Sequence, residues 1–326
     1  MPLTAVLDST IHHEEAGTGA PVVLLHGNPT SSFLWRAVIP PLAVEARCLA
    51  PDLIGFGRSG KPPIPYRFED HARYLDAWFD ALGLDRVTIV GHDWGGALGF
   101  HWAARHPRRV AGVAFMETIV KPLRWEEWPA NAVDIFRLLR TPDTGEELIF
   151  DRNIFIEGIL PAAVLRRLSE EEMQTYRAPF VARHTRTPML VWPRELPIDG
   201  TPGDVIEAVE SYGTWLAESD DVPKLLLTFE PGSIMTPPVI DWCSDIKAVV
   251  GDSDRRGPSD AGCRRWRGKR TGGQIRLPEC SNCRCIRHQW SFELEHPRVV
   301  EISHVKRSSF VEGETKRGIQ PRTRQS

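Results

Sequence analysis

The stretch Val87-Thr88-Ile89-Val90-Gly91-His92-Asp93-Trp94-Gly95-Gly96 joins a short apolar run to the helix-forming segment Ala97 to Arg105. A β-branched run that ends in a glycine-flanked turn and passes straight into a helix predicts a sharp elbow. Its middle residue, in Gly91-x-Asp93-x-Gly95, is then pushed out over the sheet. That residue is an aspartate. A carboxylate is a poor choice for the acyl chemistry that serine performs, but it can displace a leaving group at an sp³ carbon and form an alkyl ester. The elbow points to substitution at carbon, with a halide or an opened epoxide oxygen as the group displaced. A mere turn residue at this place would not need flanking glycines between a strand and a helix.

Working outward, Val22 to Leu25, Cys48 to Pro51, Val87 to Val90 and Val110 to Phe115 read as buried strands, and Leu225 to Phe229 supplies a late one. Between the second and third, Tyr74, Leu75, Trp78, Phe79 and Leu82 fall on one face of a crossover helix within His71 to Gly83, closed by Gly83. Alternating strand and helix requires a mostly parallel central sheet flanked by helices, an α/β fold. From about Ile119 to Asp199 the strand signal stops, and helix formers, tryptophan and proline predict an inserted helical cap. Trp125, Trp128, Phe136 and Phe155 are either the core of that cap or the lining of an apolar pocket beneath it. The expected organisation is a core in two parts, residues 1–118 and 200–251, with the cap at 119–199 and a divergent basic tail at 252–326.

With 326 residues and 41% hydrophobic content, the chain can bury the core of one large domain with an insertion. It lacks an apolar run of the roughly 18 residues that span a bilayer, and its first residues lack the basic start and apolar centre of a signal peptide. Both features predict a soluble, cytoplasmic protein with no membrane partner. The net charge of −3 hides a division: residues 252–326 hold 17 Lys+Arg against 9 Asp+Glu, whereas residues 1–251 hold 23 against 34. The excess arginines show no interleaved aromatics and no recognised fold, which argues against nucleic acid as a partner.

Ligands of open α/β sheets sit beyond the carboxyl ends of the strands. His26-Gly27-Asn28-Pro29 follows the first strand, Asp93 the third and Glu117 the fourth, so three polar groups are expected to converge on one edge. These residues resemble the haloalkane dehalogenases of the α/β-hydrolase superfamily. The resemblance rests on His26-Gly27-Asn28-Pro29-Thr30-Ser31-Ser32, Pro51-Asp52-Leu53-Ile54-Gly55-Phe56-Gly57-Arg58-Ser59, Gly91-His92-Asp93-Trp94-Gly95 and Phe115-Met116-Glu117, in the family's order. Glu195-Leu196-Pro197-Ile198 and Pro223-Lys224-Leu225-Leu226 extend it, so that it covers about residues 10–250. The histidine-glycine loop and aspartyl elbow also occur in epoxide hydrolases; the combination of Asn28 with Glu117 is more specific.

The resemblance implies hydrolysis of a small haloalkane to alcohol and halide, with no cofactor and no metal. Asp93 is then the nucleophile. The Trp94 indole and the Asn28 amide hold the halide, because a buried halide needs donors without a countercharge. The Trp94 backbone N–H serves an oxyanion hole, and Glu117 orients a histidine that activates water. The implied partners are the haloalkane, water and halide ion, and the chain is expected to be a monomer. Alternatives stay open: Trp94 as packing under the cap, Asn28 as a turn former before Pro29, and Glu230 as the orienting acid. An epoxide hydrolase would need two cap tyrosines aimed at Asp93, for which only Tyr176 and Tyr212 lie in or near the cap. A further alternative is a relative that binds halide but cannot complete hydrolysis.

The family pattern breaks at the base. A histidine is expected in a Gly-Pro-Gly-x-His type turn beyond Pro237-Pro238, but the chain runs Val249-Val250-Gly251-Asp252-Ser253-Asp254-Arg255-Arg256-Gly257-Pro258. Histidines recur only at His288, His296 and His304, and His304 follows a short strand-like run that makes it a candidate base. A frameshift or a rearranged gene end explains the abrupt change most simply, and predicts a largely disordered tail. The competing explanation is an appended module in which Cys280, Cys283, Cys285 and His288 hold zinc.

Overall fold

The computed structural model describes residues 2–164, 166–229, 232–247 and 249–251. The basic tail, with its candidate base His304 and the cysteine cluster, lies outside the described residues, as does Glu230. Among the described residues the strands are β1 (Leu3–Val6), β2 (Ser9–Ala16), β3 (Pro21–Leu25), β4 (Arg47–Pro51), β5 (Val87–Asp93), β6 (Val110–Thr118), β7 (Lys224–Leu226) and β8 (Val249–Gly251). They form one sheet in the order β1-β2-β4-β3-β5-β6-β7-β8. β1 and β2 pair antiparallel with their neighbours, and every other pairing is parallel.

The parallel strands are the continuous apolar runs of the sequence because both faces of such a sheet are covered. Val23, Leu24 and Leu25 of β3 and Cys48, Leu49 and Ala50 of β4 are fully buried. α1 (Ile39–Leu42) is a single turn before β4. α2 (Phe68–Ala81) starts where Asp70 accepts a hydrogen bond from the Arg67 N–H, and Gly83, at φ 57°, lies just beyond its end. α3 (Trp94–Arg105) begins directly at the elbow. Phe79 of α2 stacks on Trp102 of α3 at 4.1 Å, a contact worth about 0.5–1.5 kcal/mol beyond its area burial.

Several elements differ from the sequence reading. β5 and β6 run past their apolar cores to Asp93 and Thr118, because they pair with each other through a register shift between His92 and Asp93. β7 is shorter than the expected Leu225 to Phe229: the Leu227 N–H still reaches the Phe115 carbonyl, after which the chain leaves the ladder. The β1–β2 pair carries too many polar residues to read as strands. Its inward histidines are accommodated by partners from afar, with His12 Nδ1 on Asp52 and His13 Nδ1 accepting from the Trp78 indole.

Between β6 and β7 no strand occurs among the described residues. Helices Val133–Arg140, Glu170–Arg177 and Thr187–Glu195 fill this insertion, joined by short helical turns. Its two ends are stitched together where Leu123 donates to Pro197 and Asp199 donates to Leu123. Helix Gly203–Glu218 then returns to pack on α3. No helix among the described residues is long and apolar enough to cross a membrane.

Candidate active site

At the carboxyl edge of the sheet β5 ends on Asp93, whose backbone sits at φ 51°, ψ −131°. A side chain held in that region costs about 1–3 kcal/mol, and such strain persists where the surroundings over-determine it. The glycines supply that determination by removing atoms. A Cβ on Gly95 would lie 2.3 Å from the Leu25 carbonyl oxygen, and one on Gly27 would lie 2.2 Å from Asp93 Oδ2. The elbow can therefore press against the end of β3 only with glycine at both places. Thr118 Oγ1 fixes the turn from the far side by donating to the Asp93 carbonyl at 2.6 Å.

The loop after β3 is set by His26, which is fully buried. Its Nδ1 lies 2.9 Å from the Gly27 carbonyl and its Nε2 accepts from the Leu53 N–H at 2.9 Å, which defines a neutral ring protonated on Nδ1. Burial lowers the His26 pKa in the same direction. The loop then delivers the Asn28 backbone N–H to Asp93 Oδ2 at 2.7 Å. Burial pushes the Asp93 carboxyl up to about 7, against the pull of the N–H groups of Asn28 and Trp94. Beneath the loop, Asp52 accepts from the Ser32 and Arg58 N–H groups and from His12, and those bonds hold its carboxyl down to about 2 despite burial. The sequence contained Asp52 and His26 in quotable motifs, but nothing in it assigned them this scaffolding work.

Asp93, Asn28, Trp94 and Glu117 all line one cavity of about 370 Å³. The four predicted site residues thus come together. Asn28 Oδ1 is buried there with no hydrogen-bond partner. Glu117 is almost fully buried, and its Oε2 accepts from the backbone N–H groups of Ser233, Ile234 and Met235 at 2.7, 2.6 and 3.3 Å. Burial raises its pKa and the three donors oppose the rise.

The remaining walls are apolar and come largely from the insertion, including Trp128, Phe136, Phe155, Ile135 and Leu160. Of the four aromatics singled out in the sequence, Trp125 alone does not line the cavity. It packs outside, under the guanidinium groups of Arg137 and Arg140. Trp192, which the sequence did not single out, stacks on Trp94 with ring centroids 4.4 Å apart. None of the four tyrosines lines the cavity: Tyr212 donates to the Ile119 carbonyl and Tyr176 packs edge-on against Phe33. A buried carboxylate facing an apolar chamber, with uncharged donors around it, suits attack on an alkyl carbon and departure of a small anion.

Comparison with known proteins places this geometry. The family model of the alpha/beta hydrolase fold matches residues 20–171. A haloalkane dehalogenase of Mesorhizobium japonicum is 51% identical over 235 residues, covering 71% of this chain and 76% of that protein. One from Sphingobium indicum is 48% identical, covering 70% and 79%. The crystal structure of haloalkane dehalogenase DbeA from Bradyrhizobium elkani superposes with a TM-score of 0.74 at 47% identity, over 77% of this chain and 87% of that one. That of DatA from Agrobacterium tumefaciens does so with a TM-score of 0.74 at 41% identity, over 77% and 86%. Likeness this strong, running through the elbow and the insertion alike, makes the chain an α/β-hydrolase-fold protein that belongs to the haloalkane dehalogenase family.

Proposed function

We propose that the protein cleaves the carbon–halogen bond of small haloalkanes through an ester on Asp93. One observation carries the reading: the strained, buried Asp93 carboxylate faces an apolar cavity of about 370 Å³ and is aimed by the Asn28 N–H at 2.7 Å. With Oδ2 held by that donor, Oδ1 attacks the halogen-bearing carbon. The new C–O bond forms as the C–X bond breaks, and the bonding pair leaves with the halide. The Trp94 indole and Asn28 amide receive that anion. Water then adds to the ester carbonyl, its developing oxyanion facing the backbone N–H groups of Asn28 and Trp94. The alcohol departs and Asp93 is restored.

Glu117 orients the histidine that accepts the proton of that water. Support comes from its burial at the same cavity and from its occupied Oε2, which leaves Oε1 for an imidazole. In this reading 119–199 is a cap over a core formed by 1–118 and 200–251, and the enzyme works as a cytoplasmic monomer in detoxification. Epoxide opening is the weaker reading because no tyrosine reaches the cavity to protonate the leaving oxygen.

Halide release from a series of 1-haloalkanes, measured beside diol formation from the matching epoxides, tests the assignment. The account expects halide release lost in Asp93→Ala and no epoxide opening; the reverse preference would reject it.

A further inference from the structure

Two aromatic rings pack against the Trp94 ring. Trp192 stacks on it at 4.4 Å with the planes 21° apart, and Phe68 leans on it at 5.9 Å. The two clamping rings come from different layers: Trp192 from helix Thr187–Glu195 of the insertion, Phe68 from the first turn of α2 in the core. Behind Trp192 the His71 ring continues the stack at 4.2 Å. Neither His71 nitrogen has a hydrogen-bond partner, so the imidazole serves there as a flat plate.

One carboxylate joins the two clamping elements. Glu195 is 4% exposed and lies three residues beyond Trp192, one turn along the same helix. Its Oε2 accepts the backbone N–H of Phe68 itself at 2.9 Å. Its Oε1 accepts from Arg67 Nε and Nη2, both at 3.1 Å, and Arg67 reaches on to Asp204. Arg140 secures the same C-terminal end of the helix by donating to the Pro193 and Leu196 carbonyls, residues that line the cavity.

We propose that Glu195 is a positioning residue for the halide site: its carboxylate ties the helix bearing Trp192 to the backbone of Phe68, and so sets the plane of the Trp94 indole. The inference rests on the reading of Trp94 as a halide donor. An N–H on a ring edge is directional, and tilting the ring moves the proton away from the anion. Displacing a catalytic group by about 1 Å costs on the order of a hundredfold in rate. The Arg67 contact matters less, since its guanidinium is nearly half exposed and water screens its charge.

The test uses the full chain, with bromide and iodide as probes. Halide dissociation constants come from saturable quenching of tryptophan fluorescence, and the first-turnover rate from the halide burst with a bromoalkane. Glu195→Met, which keeps bulk but has no carboxylate, is expected to weaken halide binding and slow the burst together, by about tenfold to a hundredfold. Glu195→Gln still offers a carbonyl to the Phe68 N–H and should stay within about fivefold of the parent. Phe68→Leu keeps the bond and removes one ring; it should weaken halide binding as Glu195→Met does, and it stands in for that variant should Glu195→Met fail to fold. A folded Glu195→Met or Phe68→Leu with a lower melting temperature but unchanged halide constants overturns the proposal. If Trp94→Phe binds halide as the parent does, the underlying halide assignment fails instead.

Discussion

Asn28 donates its backbone N–H to Asp93 Oδ2 at 2.7 Å while its own side-chain Oδ1 stays buried in the cavity wall without a partner. One residue thus aims the nucleophile with its main chain and lines the cavity with its side chain, whose amide N–H group is the part able to donate to an anion. The two roles separate by mutation. Asn28→Ala retains the backbone bond and removes the amide, so first-turnover halide release should slow about a hundredfold, the usual loss for one donor in a dry site. Trp94→Phe should do the same. Asn28→Asp should be slower still, because a carboxylate repels the departing halide. Rapid-quench measurement of the burst decides; parent-like rates in both Asn28→Ala and Trp94→Phe would remove these residues from the halide site.

The Asp93 carboxyl, raised by burial from 3.8 to about 7, gives the first step a pH dependence. Only the carboxylate attacks, so the burst rate should climb as pH rises through about 7 and level off above it. A flat profile between pH 5 and 9 would contradict the buried environment described for Asp93.

The same group carries a stability signature. A carboxyl with a folded pKa above its unfolded value binds its proton more tightly when folded. Its contribution is therefore present below about 3.8 and is lost as pH rises through about 7. Asp93→Asn, uncharged at every pH, should be more stable than the parent at pH 8, by up to about 4 kcal/mol, and should melt at a higher temperature. The advantage should vanish near pH 3. Thermal denaturation at the two pH values checks both sign and size.

Gly95→Ala tests the packing of the elbow. A methyl group 2.3 Å from the Leu25 carbonyl oxygen forces the turn away from β3, with an expected loss of about 3 kcal/mol and of the burst together. A variant as stable and active as the parent would mean that the elbow is looser than its contacts imply.

Much of this site was legible because strand ends and glycines leave local signals. Val87 to Val90 followed by Gly91-x-Asp93-x-Gly95 places the nucleophile without any tertiary information, and the runs before Asn28 and Glu117 put both on the same sheet edge. What escaped depends on partners distant in sequence. β2 reads as polar because His12 and His13 find Asp52 and Trp78 only after folding. Trp192 resembles any buried tryptophan until Trp94 is laid against it, and Trp125 differs from Trp128 only in which side of the insertion its neighbours occupy. Glu195 gives no local hint that its carboxylate will accept the N–H of Phe68, 127 residues earlier.

The second chemical step turns on a histidine. The sequence has none between His184 and His288, and among the described residues His92 is the one histidine that lines the cavity. A positioned base typically contributes about 10²- to 10⁴-fold. If residues 252–326 bring no histidine to the cavity, halide release stops near one equivalent per chain and the ester stays in place; if they do, the cycle completes. Sustained turnover abolished by His304→Ala would make His304 the base. Sustained turnover that survives replacement of His288, His296 and His304 would place the base outside the tail histidines.

The central claim is that Asp93 itself is alkylated. Incubating the protein with a bromoalkane, digesting it and mapping the peptides by mass spectrometry reads this directly. The account predicts the added alkyl mass on the peptide containing Asp93, formed in step with the halide burst and absent from Asp93→Ala. Alkyl mass on any other residue, or a halide burst that persists in Asp93→Ala, would contradict it.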